Sequence, residues 1–181
     1  MQLVQTTDYP WSGKVTLTLN PAASKKFALK IRIPNRQTSE LYTNTHAVAG
    51  LTALSVNGQP VKPTLDKGYA VLSRTWKAGD KVQWEVPMTV QRIKASDHIA
   101  ADRGRVALRY GPLIYNIESV DQNVDSILRP DAPLSTEWRP DLLGGVMVIK
   151  GAFADGQPLL AIPNYARLNR GGRSVVWMKD R

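Results

Sequence analysis

The sequence predicts an all-β protein of two consecutive antiparallel β-sandwiches, jelly-roll or immunoglobulin-like, and three observations carry that expectation. Apolar residues recur with period two over most of the chain, as in strands with one face buried. No stretch shows the longer period of an amphipathic helix. Turn residues return at short intervals, among them Asn20-Pro21, Asn57-Gly58, Gly79-Asp80 and Gly111-Pro112. Such spacing fits hairpin-connected strands better than βαβ units.

Each element has its own justification. Val15, Leu17 and Leu19 alternate with Thr16 and Thr18, giving a half-buried strand that stops at Asn20-Pro21. Phe27, Leu29, Ile31 and Ile33 form a second one-sided ladder, and Pro34 ends it by removing a ladder donor. Each such side chain contributes about 1.5–3 kcal/mol when buried, so the set can anchor one sheet. A slip of one residue would turn that whole face to water. Residues 35–52 lack periodicity and read as a long connection. Ala53–Val56 then meets Gln59–Val61 across Asn57-Gly58, a pair that tolerates positive φ at both centres of a type I′ turn. Tyr69 and Val71 continue the strand pattern, and Lys77–Asp80 reads as a turn into Val82, Trp84 and Val86, stopped by Pro87. The pattern restarts after Asp97-His98, with strands at 106–108 and 113–117 around Gly111-Pro112. Residues 119–142, rich in Asp, Pro and Ser, read mostly as loop, and strands return at 146–149, 158–162 and 175–178. The expected domains are residues 1–98 and a smaller second sandwich at 99–181.

Composition narrows the chemistry. A hydrophobic content of 43% suffices for a packed core. The absence of cysteine excludes disulfides, thiolate zinc sites and cysteine nucleophiles from this chain. No apolar run approaches the roughly 20 residues of a membrane span, so no membrane is expected as a partner. No signal peptide opens the sequence, and compartment stays undetermined. The abrupt start from Met1 is expected of a fragment cut from a larger protein. Net charge is +9, with 13 Lys+Arg against 6 Asp+Glu in residues 1–98 and 11 against 9 in the rest. The basic residues form no run beyond Lys25-Lys26 and alternate with apolar ones, which reads as a solvated surface. Scattered tryptophans form no base-stacking stripe, so nucleic acid is not expected either.

Common catalytic motifs are missing: no G-x-S-x-G, no phosphate-binding loop and no H-E-x-x-H. His46 and His98 are the two imidazoles. Asp97-His98 has the residue types of an acid–base pair, but strand neighbours face opposite sides, which favours a structural or exposed pair. Two isolated histidines give a metal site no support. Two carboxylates held about 5–9 Å apart can hydrolyse a glycoside. Glu85, Glu118, Glu137, Asp102 and Asp141 are the residues to consider, and nothing in the sequence joins any two. Aromatic rings at turns or loop edges can pack on sugars. Trp11 occupies such a position, and Trp76, Trp138 and Tyr165 are the carbohydrate-binding candidates. A plainer alternative has these rings capping sandwich ends or buried at an interface. Arg103, Arg105 and Arg109 can grip an anion bidentately, or pair with Asp102, Glu118 or a neighbouring domain's acids.

Taken in order, YPWSGKVTLTL (9–19), FALKIRIP (27–34), LSVNGQPV (54–61), KGYAVLSRTWKAGDKVQWEVPM (67–88) and DRGRVALRYGPLIYNIE (102–118) resemble glycoside hydrolase family 127. RPDLLGGVMVIKG (139–151) and AIPNYARLNRGG (161–172) extend the likeness, which spans roughly residues 9–178. The family includes β-L-arabinofuranosidases. The resemblance implies a chain matching the β-sandwiches that follow an N-terminal (α/α)6 barrel. In such enzymes the barrel cleaves with retention, using a cysteine nucleophile in a zinc site of cysteines and a glutamate. No position here matches those residues, so no catalytic residue, metal ligand or cofactor is expected in this chain. Asn116 stands where relatives often carry Cys, and Asn164 and Arg167 replace frequent aromatics. The implied role is an accessory region packing on the barrel, its partner, with self-association through the barrel-facing surface when the barrel is absent. A carbohydrate-binding module for arabinose-containing glycans is the alternative, and autonomous hydrolysis by hidden carboxylates is a third.

Overall fold

The structure is a computed structural model, and it describes residues 1–34, 39–45 and 50–181. The first half of the chain supplies β1 (Gln2–Thr7), β2 (Lys14–Asn20), β3 (Lys25–Arg32), β4 (Tyr42–Thr45), β5 (Ala53–Val56), β6 (Gln59–Pro60), β7 (Thr64–Asp66), β8 (Tyr69–Trp76) and β9 (Asp80–Glu85). The second supplies β10 (Val90–Ala95), β11 (Arg105–Tyr110), β12 (Leu113–Glu118), β13 (Ser135–Arg139), β14 (Val146–Ala152), β15 (Pro158–Pro163), β16 (Ser174–Val175) and β17 (Met178–Lys179). Two single-turn 3-10 helices, Ala100–Asp102 and Asn164–Ala166, complete the described elements. The fold is all-β with antiparallel sheets, as expected.

Among the described residues, those within 1–36 and 48–88 form one unit and those within 37–47 and 89–181 another. This division differs from the expected ranges, 1–98 and 99–181, in two places with a common cause. β10 pairs along β11 from Val90↔Tyr110 to Ile93↔Ala107, and β4 pairs along β10 from Arg92↔Thr45 to Ala95↔Tyr42. Both strands therefore belong to the later sheet. The second unit also holds more of the chain than the first.

The first unit is a sandwich of two sheets, β1-β2-β9-β5-β6 and β3-β8-β7. One core joins them. Leu19, Val56 and Val82 come from the larger sheet, and Ile31, Ala70, Leu72 and Trp76 from the smaller. The Thr-flanked ladder of β2 buries Val15, Leu17 and Leu19, as its alternation predicts. The Asn57-Gly58 turn has φ of 51° and 78°, the sign a type I′ turn needs at both centres.

The second unit is a nine-stranded sheet with the path β13-β14-β15-β12-β11-β10-β4. β11 and β12 pair only from Leu108↔Tyr115 to Tyr110↔Leu113 around their tight turn. Beyond it, β16 pairs with Ile117–Glu118 and β17 with Arg105–Val106. Ile117 also pairs with Ala161 of β15, so β16 lies on the β11 side of β12. Alternate residues on both faces are buried, Leu108, Tyr115 and Ile117 on one side and Asn116, Glu118 and Ile162 on the other. A sheet covered twice explains why polar Asn116 and Glu118 stand in an apolar strand: each is hydrogen-bonded in place.

Candidate functional site

Trp76 departs from its expected place at the surface. The last residue of β8 has 0% exposure, with its ring 5.9 Å from that of Phe27 and its indole Nε1 donating to the Phe27 carbonyl at 3.1 Å. The Arg74 guanidinium lies over the ring at 5.3 Å. A buried indole with its one donor satisfied is a core anchor and offers no face to a sugar.

Trp138 and Tyr165 behave differently, at 45% and 64% exposure. Trp138 lies on the edge strand β13 opposite Met147, and β14 meets β15 through Ile149↔Ala161. Extending that register by two residues sets Met147 beside Pro163, the residue before the turn that carries Tyr165. Pro163 in turn pairs with Tyr115. Trp138 and Tyr165 are thus exposed rings of the second unit, one on the edge strand and the other in the 3-10 turn after β15. The Tyr115 hydroxyl donates to the Met147 carbonyl at 2.8 Å. Burial pushes the Tyr115 phenol well above its ordinary range, with Tyr110 and Tyr165 adding to the shift, so it acts as a donor and not as a base. Gly145 has a φ of 102°, and a Cβ placed on it would come within 2.8 Å of Trp138 Cζ2. The glycine is what lets the indole pack close to the β13–β14 turn. Arg139 clamps that turn by donating twice to Asp141, at 2.9 and 2.7 Å, which lowers the Asp141 carboxyl to about 2.

The carboxylates considered from sequence serve other ends. Glu137 pairs with Lys150 at 2.7 Å, and Asp141 with Arg139. Glu118 is fully buried and accepts from the Leu168 amide at 2.6 Å and from Arg170 at 2.8 Å. Asp121 first, then Glu118, hold the Arg170 guanidinium above its ordinary range against the opposing effect of burial. Glu85 sits in register with Lys14 and Ala53 on β2 and β5, while Asp102 lies in the 3-10 turn before β11. Glu118, Glu137 and Asp141 are thus each held by a basic side chain, in pairs that tie segments of the chain together.

The arginines also depart from expectation. Arg103 donates twice to the Asp97 carbonyl, Arg105 donates to the Trp177 carbonyl, and Arg109 grips Gln91 Oε1 at 3.0 and 2.7 Å. Arg170 takes Glu118 instead, and no sequence signal links those two positions. Asp97 and His98 are exposed turn residues rather than strand neighbours, and His46 lies outside the described residues. No described group of three or more His, Asp or Glu side chains could hold a metal ion. The cysteine-and-glutamate zinc site implied by the resemblance has no donor set here, because the chain has no cysteine.

Comparison with known proteins places this arrangement. Residues 1–88 match the model of the "Beta-L-arabinofuranosidase, GH127 middle domain", and residues 90–179 match the glycoside hydrolase family 127 C-terminal domain. The non-reducing end β-L-arabinofuranosidase of Bifidobacterium longum subsp. longum is 30% identical over 155 residues, covering 78% of this chain and 21% of that protein. A solved GH127 β-arabinofuranosidase superposes with a TM-score of 0.88 at 31% identity, over 99% of this chain and 31% of its own. A GH127 β-L-arabinofuranosidase from Geobacillus stearothermophilus T6 gives 0.84 at 35% identity, over 99% and 30%. The chain thus spans less than a third of the length of these relatives. It belongs to glycoside hydrolase family 127, as that family's middle and C-terminal domains in succession.

Proposed function

We propose that this chain is a non-catalytic accessory region of an arabinofuranosidase-type enzyme, packing on and supporting an (α/α)6 catalytic barrel. One observation carries the reading: 99% of the chain aligns with under a third of each solved relative, and the matched parts are the middle and C-terminal domains. The side chains support it. The outward face of β1, β2, β9 and β5 carries Thr6, Thr16, Gln83 and Ser55 in one row, flanked by Thr18 opposite Lys81 and by Lys14 opposite Glu85. A largely polar face of that kind suits contact with a neighbouring domain, because interfaces between domains are more polar than obligate ones. Exposed Leu3 and Val4 on β1 add apolar area at the same edge.

The test is an assay of the purified chain on aryl β-L-arabinofuranosides, with and without added zinc. No turnover is expected in either case, and turnover by this polypeptide would sink the proposal. A second measurement addresses support: the barrel of a family 127 enzyme, expressed alone, should gain thermal stability and solubility when this region is restored to it. Self-association of the isolated chain would follow from the same uncovered surface, and sedentation of a monomer at all concentrations would count against it.

A glycan-binding role is the second reading, favoured by the exposure of the Trp138 and Tyr165 rings in the second unit. Titration with arabinan oligosaccharides, repeated on Trp138→Ala and Tyr165→Ala, decides it. Binding lost in both variants supports the role; no binding to the parent chain dismisses it.

A further inference from the structure

We propose that Asn57 is a latent deamidation site, kept unreactive in the folded chain by a clamp from the turn that opens β9. The chemistry begins with Gly58, whose lack of a side chain leaves its amide nitrogen unhindered. Attack of Gly58 N on Asn57 Cγ forms a C–N bond, breaks the Cγ–Nδ2 bond and releases ammonia, leaving a succinimide. Water then opens the ring at the side-chain carbonyl to give aspartate, or at the main-chain carbonyl to give isoaspartate. No oxidant or other co-reactant is needed. A Cβ placed on Gly58 would meet nothing within 4 Å, so water reaches the turn.

The folded geometry opposes the first step. Asn57 Nδ2 donates to Asp80 Oδ1 at 2.9 Å, and Asn57 Oδ1 accepts from the Lys81 amide at 2.8 Å. The Asn57 amide also donates to the Lys81 carbonyl at 2.8 Å, and Asp80 Oδ2 is itself held by the Lys77 amide at 2.8 Å. Both ends of the side-chain amide are thereby tied to β9. Swinging Cγ onto the glycine nitrogen breaks both of its bonds to β9, one of them to an ionised carboxylate.

Conversion would also be hard to reverse structurally. Aspartate at position 57 sets a second carboxylate against Asp80, where a donor stood. The Lys77 amide first and Asn57 second keep the Asp80 carboxyl below its usual range, and conversion removes the second of these. Isoaspartate adds a methylene to the backbone of a two-residue turn, so the φ values of 51° and 78° that set the β5–β6 register no longer apply.

The test is peptide mapping by mass spectrometry, with isoaspartate detection, after mildly alkaline incubation of folded and urea-unfolded chain. Conversion at Asn57 is expected about tenfold or more slower in the folded chain, the factor that one hydrogen bond to a charged group is worth. Asp80→Ala, checked for folding by circular dichroism, should raise the folded rate, while Gly58→Ala should slow conversion in the unfolded chain. Equal rates in folded and unfolded wild-type chain would overturn the proposal, and this comparison needs no variant to fold. A folded Asp80→Ala chain that converts no faster than wild type would also overturn it.

Discussion

Single residues decide most of what this region can and cannot do. Trp76 illustrates how position misleads: it precedes a turn, which suggests exposure, yet it shares the inward face of β8 with Ala70 and Leu72. That period-two relation was present in the sequence and was the better guide. Trp76→Ala should therefore destabilise the first unit by about 3–5 kcal/mol, the range for emptying a large aromatic site, as read by denaturant unfolding. Asp141 offers a test of a different kind. Its carboxyl is depressed to about 2, chiefly by the Arg139 hydrogen bonds, so this pair's contribution persists above the unfolded carboxylate range and disappears as pH falls toward 2. NMR titration should find Asp141 ionised down to about pH 2, and Arg139→Ala should return it to the ordinary range near 3.9. Both residues are surface-exposed, so the change in the carboxyl's titration, not in stability, is the informative readout.

At the level of elements, legibility tracks how much core a strand carries. β2, β3, β9 and the β5–β6 hairpin declare themselves, because their apolar residues alternate or their turn has one permitted chemistry. β4 (YTNT) and β13 (STEWR) do not, since both lie at sheet edges with little apolar material. Edge strands with charged and polar side chains are protected against pairing with other chains, and that protection erases the signal a reader looks for. β10 was missed for another reason. Its inward set pairs Ile93 with Gln91, a fully buried amide that reads as polar until Arg109 is seen gripping it. The candidate site follows the same logic: Tyr165 is exposed in a turn, whereas Trp138 owes its exposure to an edge strand that no local pattern declares. Two substitutions test the supporting elements. Gly145→Ala should cost about 1–3 kcal/mol, because its φ of 102° is strained for any side chain and the new methyl meets Trp138. Arg170→Met should cost about 3–5 kcal/mol by stranding the buried Glu118 carboxylate; chemical denaturation of each variant measures both.

For the whole molecule, charge is distributed more unevenly in its pairing than in its count. Among the described residues, Lys30–Asp66 is the ion pair of the first unit, whereas the second holds pairs at Lys94–Asp180, Arg129–Asp131, Arg139–Asp141, Lys150–Glu137, Arg170–Glu118 and Arg173–Asp125. The excess of +9 therefore resides mainly on solvated lysines of the first sandwich. Such charge favours solubility and weak attraction to anionic surfaces that fades as salt is added. It does not build a site.

β16 and β17 sit against β12 and β11, in the interior of the second sheet, although they are the last of that sheet's described strands to be made. Met178 is fully buried and Asp180 is locked to Lys94. During translation, then, the seven earlier strands of this sheet cannot finish it: its centre stays open until residues near 179 have cleared the ribosomal tunnel. A nascent chain halted shortly before them would hold an unzipped seam flanked by Val106 and Ile117, a natural landing place for a chaperone.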